Sequence, residues 1–182
     1  MSENSNVLSS PDQLIDRVIT DIKTQFPTVS VSDYEPLSRE PIETPAILLE
    51  VVEIGKSARA SGGRKAYNIE LIAHCVLGSQ TPNVGREICN MALFLLGLVD
   101  GNAWGLGRAV EAAGEAKAFP GVPIVGSDGC ERWIVQWTQK IHIGEGWKMP
   151  DFAPSEVYLS AAPNIGEAHK QDYDRIDDHE PG

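Results

Sequence analysis

The chain has 182 residues, 26 acidic and 15 basic, for a formal net charge of −11. That length suits one domain, or a domain with a tail. The charge argues against a general nucleic-acid coat but leaves room for a local basic loop. The longest apolar run, around Met91 to Val99, is half a membrane span and is broken by Gly97. The first ten residues carry neither a base nor an apolar run, which argues against a secretory signal. Cys75, Cys89 and Cys130 are odd in number and far apart. They suit a reducing compartment better than a disulfide framework or a zinc knuckle.

The predicted elements begin with a helix. Ser10 can cap it, Pro11 fits its first position and Gln13 completes a capping-box pattern. Leu14, Ile15, Val18, Ile22 and Phe26 recur at helical spacing, and Pro27 stops the helix. Thr28–Ser32 alternates as a short strand, and three prolines between 33 and 45 predict a loop. Ala46–Ile54 and Tyr67–Leu77 read as two strands of a long antiparallel hairpin. In the second, Tyr67, Ile69, Leu71, Ala73, Cys75 and Leu77 form an apolar face, while Asn68, Glu70 and His74 point the other way. The connection holds Lys56, Arg59, Arg64 and Lys65 and no acid. It is either a solvated tip or a surface for an acidic partner, such as a neighbouring subunit, or for DNA in a channel.

A second helix begins near Val84. Val84, Ile88, Met91, Leu95 and Leu98 make one stripe, and Leu93, Phe94 and Leu96 widen it, which predicts cover on most sides. Residues 104–121 are Gly- and Ala-rich and predict no clear element. Arg132–Ile143 is a strong strand with Trp133, Val135, Trp137, Ile141 and Ile143 on one face, and Gln136, Thr138, Lys140 and His142 on the other. The expected fold is α+β: a small, mainly antiparallel sheet with two helices packed on one face, plus an extended C-terminal arm. The other sheet face reads as polar throughout, hence wet or covered by a subunit. The expected boundaries are a flexible N-terminus 1–10, a domain 11–144 and an acidic arm 145–182. The arm holds nine acids and three bases, a net of −6, against −5 for residues 1–144. It is either a solvated tail or a clasp on a neighbouring subunit.

Catalytic signals are sparse. Gly105-Leu-Gly107 follows no strand, and Val110 stands where a phosphate fingerprint needs its last glycine. There is no Gly-x-Ser-x-Gly elbow, and Cys75 and Cys89 read as core residues. Cys130 falls in an expected turn. His74 and His142 share the polar face and would lie side by side if their strands were neighbours, but no third ligand joins them. His169 and His179 belong to the tail. Trp104 and Trp147 lie outside the clear elements and are candidates for subunit contact, as are Phe152 and Tyr158 of the arm. Trp133 and Trp137 read as core-facing.

The order of these elements resembles a known family. It comprises a helix ending in Phe26-Pro27, an apolar strand from Pro45, a flexible loop, the long strand from Tyr67, a helix and the aromatic strand Trp133-Ile-Val-Gln-Trp-Thr-Gln. The pattern is similar to the tail-terminator, or tail-completion, proteins of long-tailed bacteriophages and phage-like tail particles, and covers residues 11–144. The resemblance implies a structural virion protein of the tail or neck, assembled in the host cytoplasm. Such a protein forms a homo-oligomeric, hexameric ring that caps the tail tube, stops its polymerisation and offers the joining surface for the head–tail connector. It implies no catalytic residue, cofactor or metal, and no membrane. Its partners would be itself, the tail-tube protein, the connector, and DNA that passes through the lumen without specific binding. The alternatives are a head–tail connector or adaptor (neck) protein, or a small enzyme using His74 and His142.

Overall fold

The computed structural model describes residues 7–35, 41–57, 63–122 and 129–145 in full, and the backbone of 158–159 and 174–175. Arg59, Trp147, Phe152, His169, His179 and the side chain of Tyr158 lie outside the described residues, as does most of the expected arm. The chain divides into two units, Met1–Trp147 and Lys148–Gly182. The first contains α1 (Asp12–Gln25), β1 (Ser30–Asp33), β2 (Ala46–Lys56), β3 (Lys65–Gly78), α2 (Val84–Val99), a 3₁₀ turn (Gly107–Ala109), β4 (Gly114–Pro120) and β5 (Cys130–Ile143). The second contains β6 (Tyr158–Leu159), antiparallel to β7 (Asp174–Arg175).

The capping of α1 differs from expectation by one residue. Pro11 stands at the cap position, and Gln13 reaches back to accept the Ser9 N–H at 2.8 Å. At the other end, the Phe26 N–H closes on the Ile22 carbonyl at 2.9 Å, and Pro27 has no N–H to continue the ladder. The apolar spacing buries Leu14, Val18, Ile19 and Ile22. Each contributes about 1.5–3 kcal/mol relative to exposure.

The sheet order is β1-β2-β3-β5-β4. β1 runs parallel to β2, and every other pair is antiparallel. The long hairpin pairs Ala46 with Val76 at one end and Lys56 with Tyr67 at the other, with a bulge between Val51 and Glu53. All fourteen residues of β3 pair with the fourteen of β5. Both helices pack on one face, where Leu71, Cys75 and Trp137 meet Leu14, Ile88 and Leu95 in a single core. This is the α+β architecture the sequence implies.

Four expectations need correction. Residues 114–120 form an edge strand, β4, in a stretch that the sequence leaves poorly determined. Cys130 opens β5 instead of sitting in a turn, and packs near Ala46 and Val76. Leu8, in the stretch expected to be flexible, is buried, and its carbonyl accepts the Gly144 N–H at 2.9 Å. Finally, α2 is not covered on most sides: Leu93 is 65% exposed and Phe94 72%. The 3.6-residue period carries these two away from the stripe that meets the sheet.

Candidate functional site

The face of the sheet that carries no helix is the natural place to look for function. Down β3 it presents Ala66, Asn68, Glu70, Ile72, His74 and Val76, because side chains alternate along a strand. The expected uniform polarity holds only in the middle. There the bulge sets Glu53 directly opposite Glu70, and Gln136 donates to the Glu70 carboxylate. The ends are covered. At one end Ala46, Leu48 and Val76 are buried under Tyr34, Ile42 and Cys130 as a second, small apolar cluster.

That covered end holds a polar trio from three strands. His74 donates from Nε2 to Glu50 at 2.8 Å, and its Nδ1 accepts from Arg132 Nη2. The Arg132 bond fixes the tautomer, since a guanidinium can only donate. The Tyr34 ring packs edge-on to His74, with centroids 4.8 Å apart. His74 is 1% exposed. Burial pushes its pKa below the ordinary 6.5; the Glu50 bond opposes this and the positive charge of Arg132 adds to it. Burial likewise lowers Arg132, against the pull of Tyr34 and Glu50. Arg132 Nη1 also donates to the Val122 carbonyl, and its own carbonyl accepts the Gly121 N–H at 3.0 Å. A Cβ on Gly121 would lie 3.0 Å from Arg132 Cγ, so glycine permits this close approach.

The other histidine sits at the opposite end. His142 Nε2 donates to Glu111 Oε1 at 2.9 Å, and Lys140 Nζ reaches the same oxygen at 2.8 Å. The bonds from Lys140 and then His142 hold the Glu111 carboxyl below its ordinary value. In the ladder His74 faces Ile134 while His142 faces Ala66. Eight residues of β5 separate Ile134 from His142, roughly 26 Å. The expected side-by-side pair is therefore not formed. Both histidines are on the same face of adjacent strands, but register places them apart.

The basic loop divides. Lys56, the last residue of β2, and Lys65, the first of β3, are exposed. Arg64 instead donates to the Arg108 carbonyl at 3.3 Å, tying the hairpin to the 3₁₀ turn. Trp104, expected at a subunit contact, is 1% exposed. Its ring lies 6.5 Å from that of Trp137, and its Nε1 donates to Gln139 Oε1 at 3.0 Å. It is a core residue. Gln139 is the residue the sequence reading passed over. It is fully buried on the helix-covered face, and its amide also donates to the carbonyls of Asn102 and Glu111. The signal was present: Gln139 is the one polar side chain in the alternation Trp133, Val135, Trp137, Ile141, Ile143.

Among the described residues, grooves lie beside the sheet and between the helices. One, of about 370 Å³, runs beside β1 on the helix-free side, with Asp33, Tyr34, Glu35, Ile42, Glu43 and Leu48 among its walls. The other, of about 470 Å³, is lined by Gln25, Phe26, Phe94 and Leu98 between the helices. Among the described residues, no group of three or more His, Cys, Asp or Glu gathers as metal ligands, and no helix is long and apolar enough to cross a membrane. Burial raises the Cys75 thiol to about 12, which leaves it without nucleophilic character at neutral pH. No protein-family model matches this chain, and no curated protein matches it in sequence.

Proposed function

We propose that this chain is a structural subunit of a phage-like tail, forming a ring that ends the tail tube and offers the joining surface for the head–tail connector. The observation that carries the reading is the unequal treatment of the two sheet faces. Both helices cover one face, and the other is left open across its middle with Glu53, Glu70, Gln136 and Thr138. A long β2–β3–β5 ladder with one open polar face suits a subunit that lines a channel or meets a neighbour. The order of elements from α1 to β5 supports the same reading through its resemblance to tail-terminator proteins.

An acidic open face also suits a lumen that duplex DNA crosses without sticking, since like charge keeps the phosphates from settling. Electron microscopy of the purified protein, alone and with tail tubes, tests the proposal. Rings seated on tube ends are the expected result. Binding at a portal ring instead would move the chain to the connector class, and a monomer indifferent to both would sink the reading.

A further inference from the structure

One face of α2 is exposed along its whole length. Arg86, Asn90, Leu93, Gly97 and Asp100 are all exposed and follow one another at steps of four, three, four and three. That spacing is the seam of a two-helix coil and puts all five on one stripe. Phe94 stands beside the stripe, exposed like Leu93, and with Leu98, Gln25 and Phe26 it lines the groove toward α1. The stripe is self-complementary. Leu93 is its centre, with Arg86 seven residues before it and Asp100 seven after, each roughly 10 Å away along the axis. Arg86 sits in the first turn and Asp100 at the C-terminal cap, and among the described residues neither makes an ion pair within its own chain. Gly97 points the same way. A helix interior disfavours glycine, and a Cβ there would meet nothing within 4 Å, so the fold itself does not require glycine at 97.

We infer that α2 of one copy packs antiparallel on α2 of a second copy, about a two-fold axis through Leu93. This register sets Arg86 of each copy on Asp100 of the other and Leu93 on Leu93. Gly97 then lies against the turn at Cys89 and Asn90, where the missing Cβ lets the two backbones approach. Parallel pairing would instead set Arg86 on Arg86 and Asp100 on Asp100, so charge selects the antiparallel form. Phe94 flanks the axis on each side and loses its exposure. The contact is isologous. It uses one patch twice, so it pairs two chains or two rings and cannot by itself build a ring. It goes beyond the ring reading and does not depend on it.

Charge reversal tests this by sedimentation velocity. Leu93→Glu, Arg86→Asp and Asp100→Arg are all at exposed positions, so each variant should keep the wild-type circular dichroism. The wild type should sediment as a pair, of chains or of rings. Leu93→Glu sets two carboxylates on the axis and should halve that mass. Arg86→Asp alone and Asp100→Arg alone set like charge on like and should pair at least roughly tenfold more weakly. Their equimolar mixture should recover pairing, because one copy then supplies acid at both ends of the stripe and the other supplies base. A wild type whose mass is unchanged by Leu93→Glu, or a mixture that fails to recover, overturns the inference. The ring reading is judged separately. Leu93→Glu chains that still cap tube ends keep it, and a wild type that pairs through α2 yet ignores tubes sinks it while keeping the inference.

Discussion

The two faces of the sheet bury polar groups in opposite ways. On the helix-covered face the buried polar side chain is Gln139, a neutral amide whose oxygen and nitrogen both have partners. Cys75, further along the same face, is held protonated. Neither of these two groups is charged at neutral pH. On the helix-free face the buried polar groups are His74, Arg132 and His142, all ionisable and two of them bonded to carboxylates. One face is therefore a pH-silent scaffold, and the other carries the groups that respond to acid and to charged neighbours. This division follows from burial. A neutral amide satisfied on both sides is tolerated in an apolar core, whereas a charged group needs partners that keep some contact with water.

The largest expected effect is on the silent face. Trp104→Ala should destabilise by about 3–5 kcal/mol, since it removes a fully buried indole and leaves Gln139 without its donor. Urea unfolding should give the same loss at pH 8 and pH 5. A loss that grows on acidification would mean that this face titrates and that the division is wrong.

Next comes Arg132→Met. It strips His74 Nδ1 and the Val122 carbonyl of their donor, at a cost of about 1–3 kcal/mol. Without the nearby positive charge, the pKa of His74 should rise. An NMR titration of the His74 ring protons checks this. An unchanged pKa would show that Arg132 has no electrostatic hold on the ring.

Much of the scaffold was legible in the sequence, because period alone marks it. The stripe of α1 and the odd-numbered face of β3 carry enough apolar residues to declare which side is covered. β4 was not legible. Its sequence, Gly-Glu-Ala-Lys-Ala-Phe-Pro, has weak alternation, a bulge before Lys117 and Glu115 at φ +55°, all tolerated because it pairs only with β5. Trp104 read as a contact residue because its neighbours are glycines; it is buried in the core beside Trp137, and its indole N–H is satisfied by Gln139, 35 positions away. The two histidines were correctly placed on one face, but face is a property of a strand and proximity is a property of register. Register here is set by the full β3–β5 ladder, which no local pattern states.

The pH response follows from the open face and is smaller. The pKa of His74 is lower folded than unfolded, so its contribution is fully present above 6.5 and is lost as pH falls toward the folded value. One proton changes stability by at most about 1.4 kcal/mol for each pH unit in that window. Glu111 acts in the same direction but lower, its contribution being lost as pH falls below 4.5, and weakly, because it is half exposed. Unfolding free energy measured from pH 8 to pH 3 should therefore decline in two stages. His74→Gln, which can keep one donor and one acceptor, should flatten the upper stage and leave the lower one. If both stages persist in that variant, the upper one belongs to another group.

The smallest effect is the one that best separates stability from use. Glu53 and Glu70 face each other across β2 and β3, and like charges so placed repel. Gln136 relieves only the Glu70 side. Glu53→Lys turns repulsion into attraction and should stabilise the isolated chain by roughly 0.2–1 kcal/mol at low salt, fading as salt rises. Thermal melts at two ionic strengths measure this directly. If the open face is the wall of a DNA channel, the same change should slow DNA release through assembled rings, so the variant would be more stable and less fit for its role. A destabilised variant would show that Glu53 is held by contacts other than simple charge. A stabilised variant with unaltered DNA release would place this face away from the channel, at a boundary between subunits.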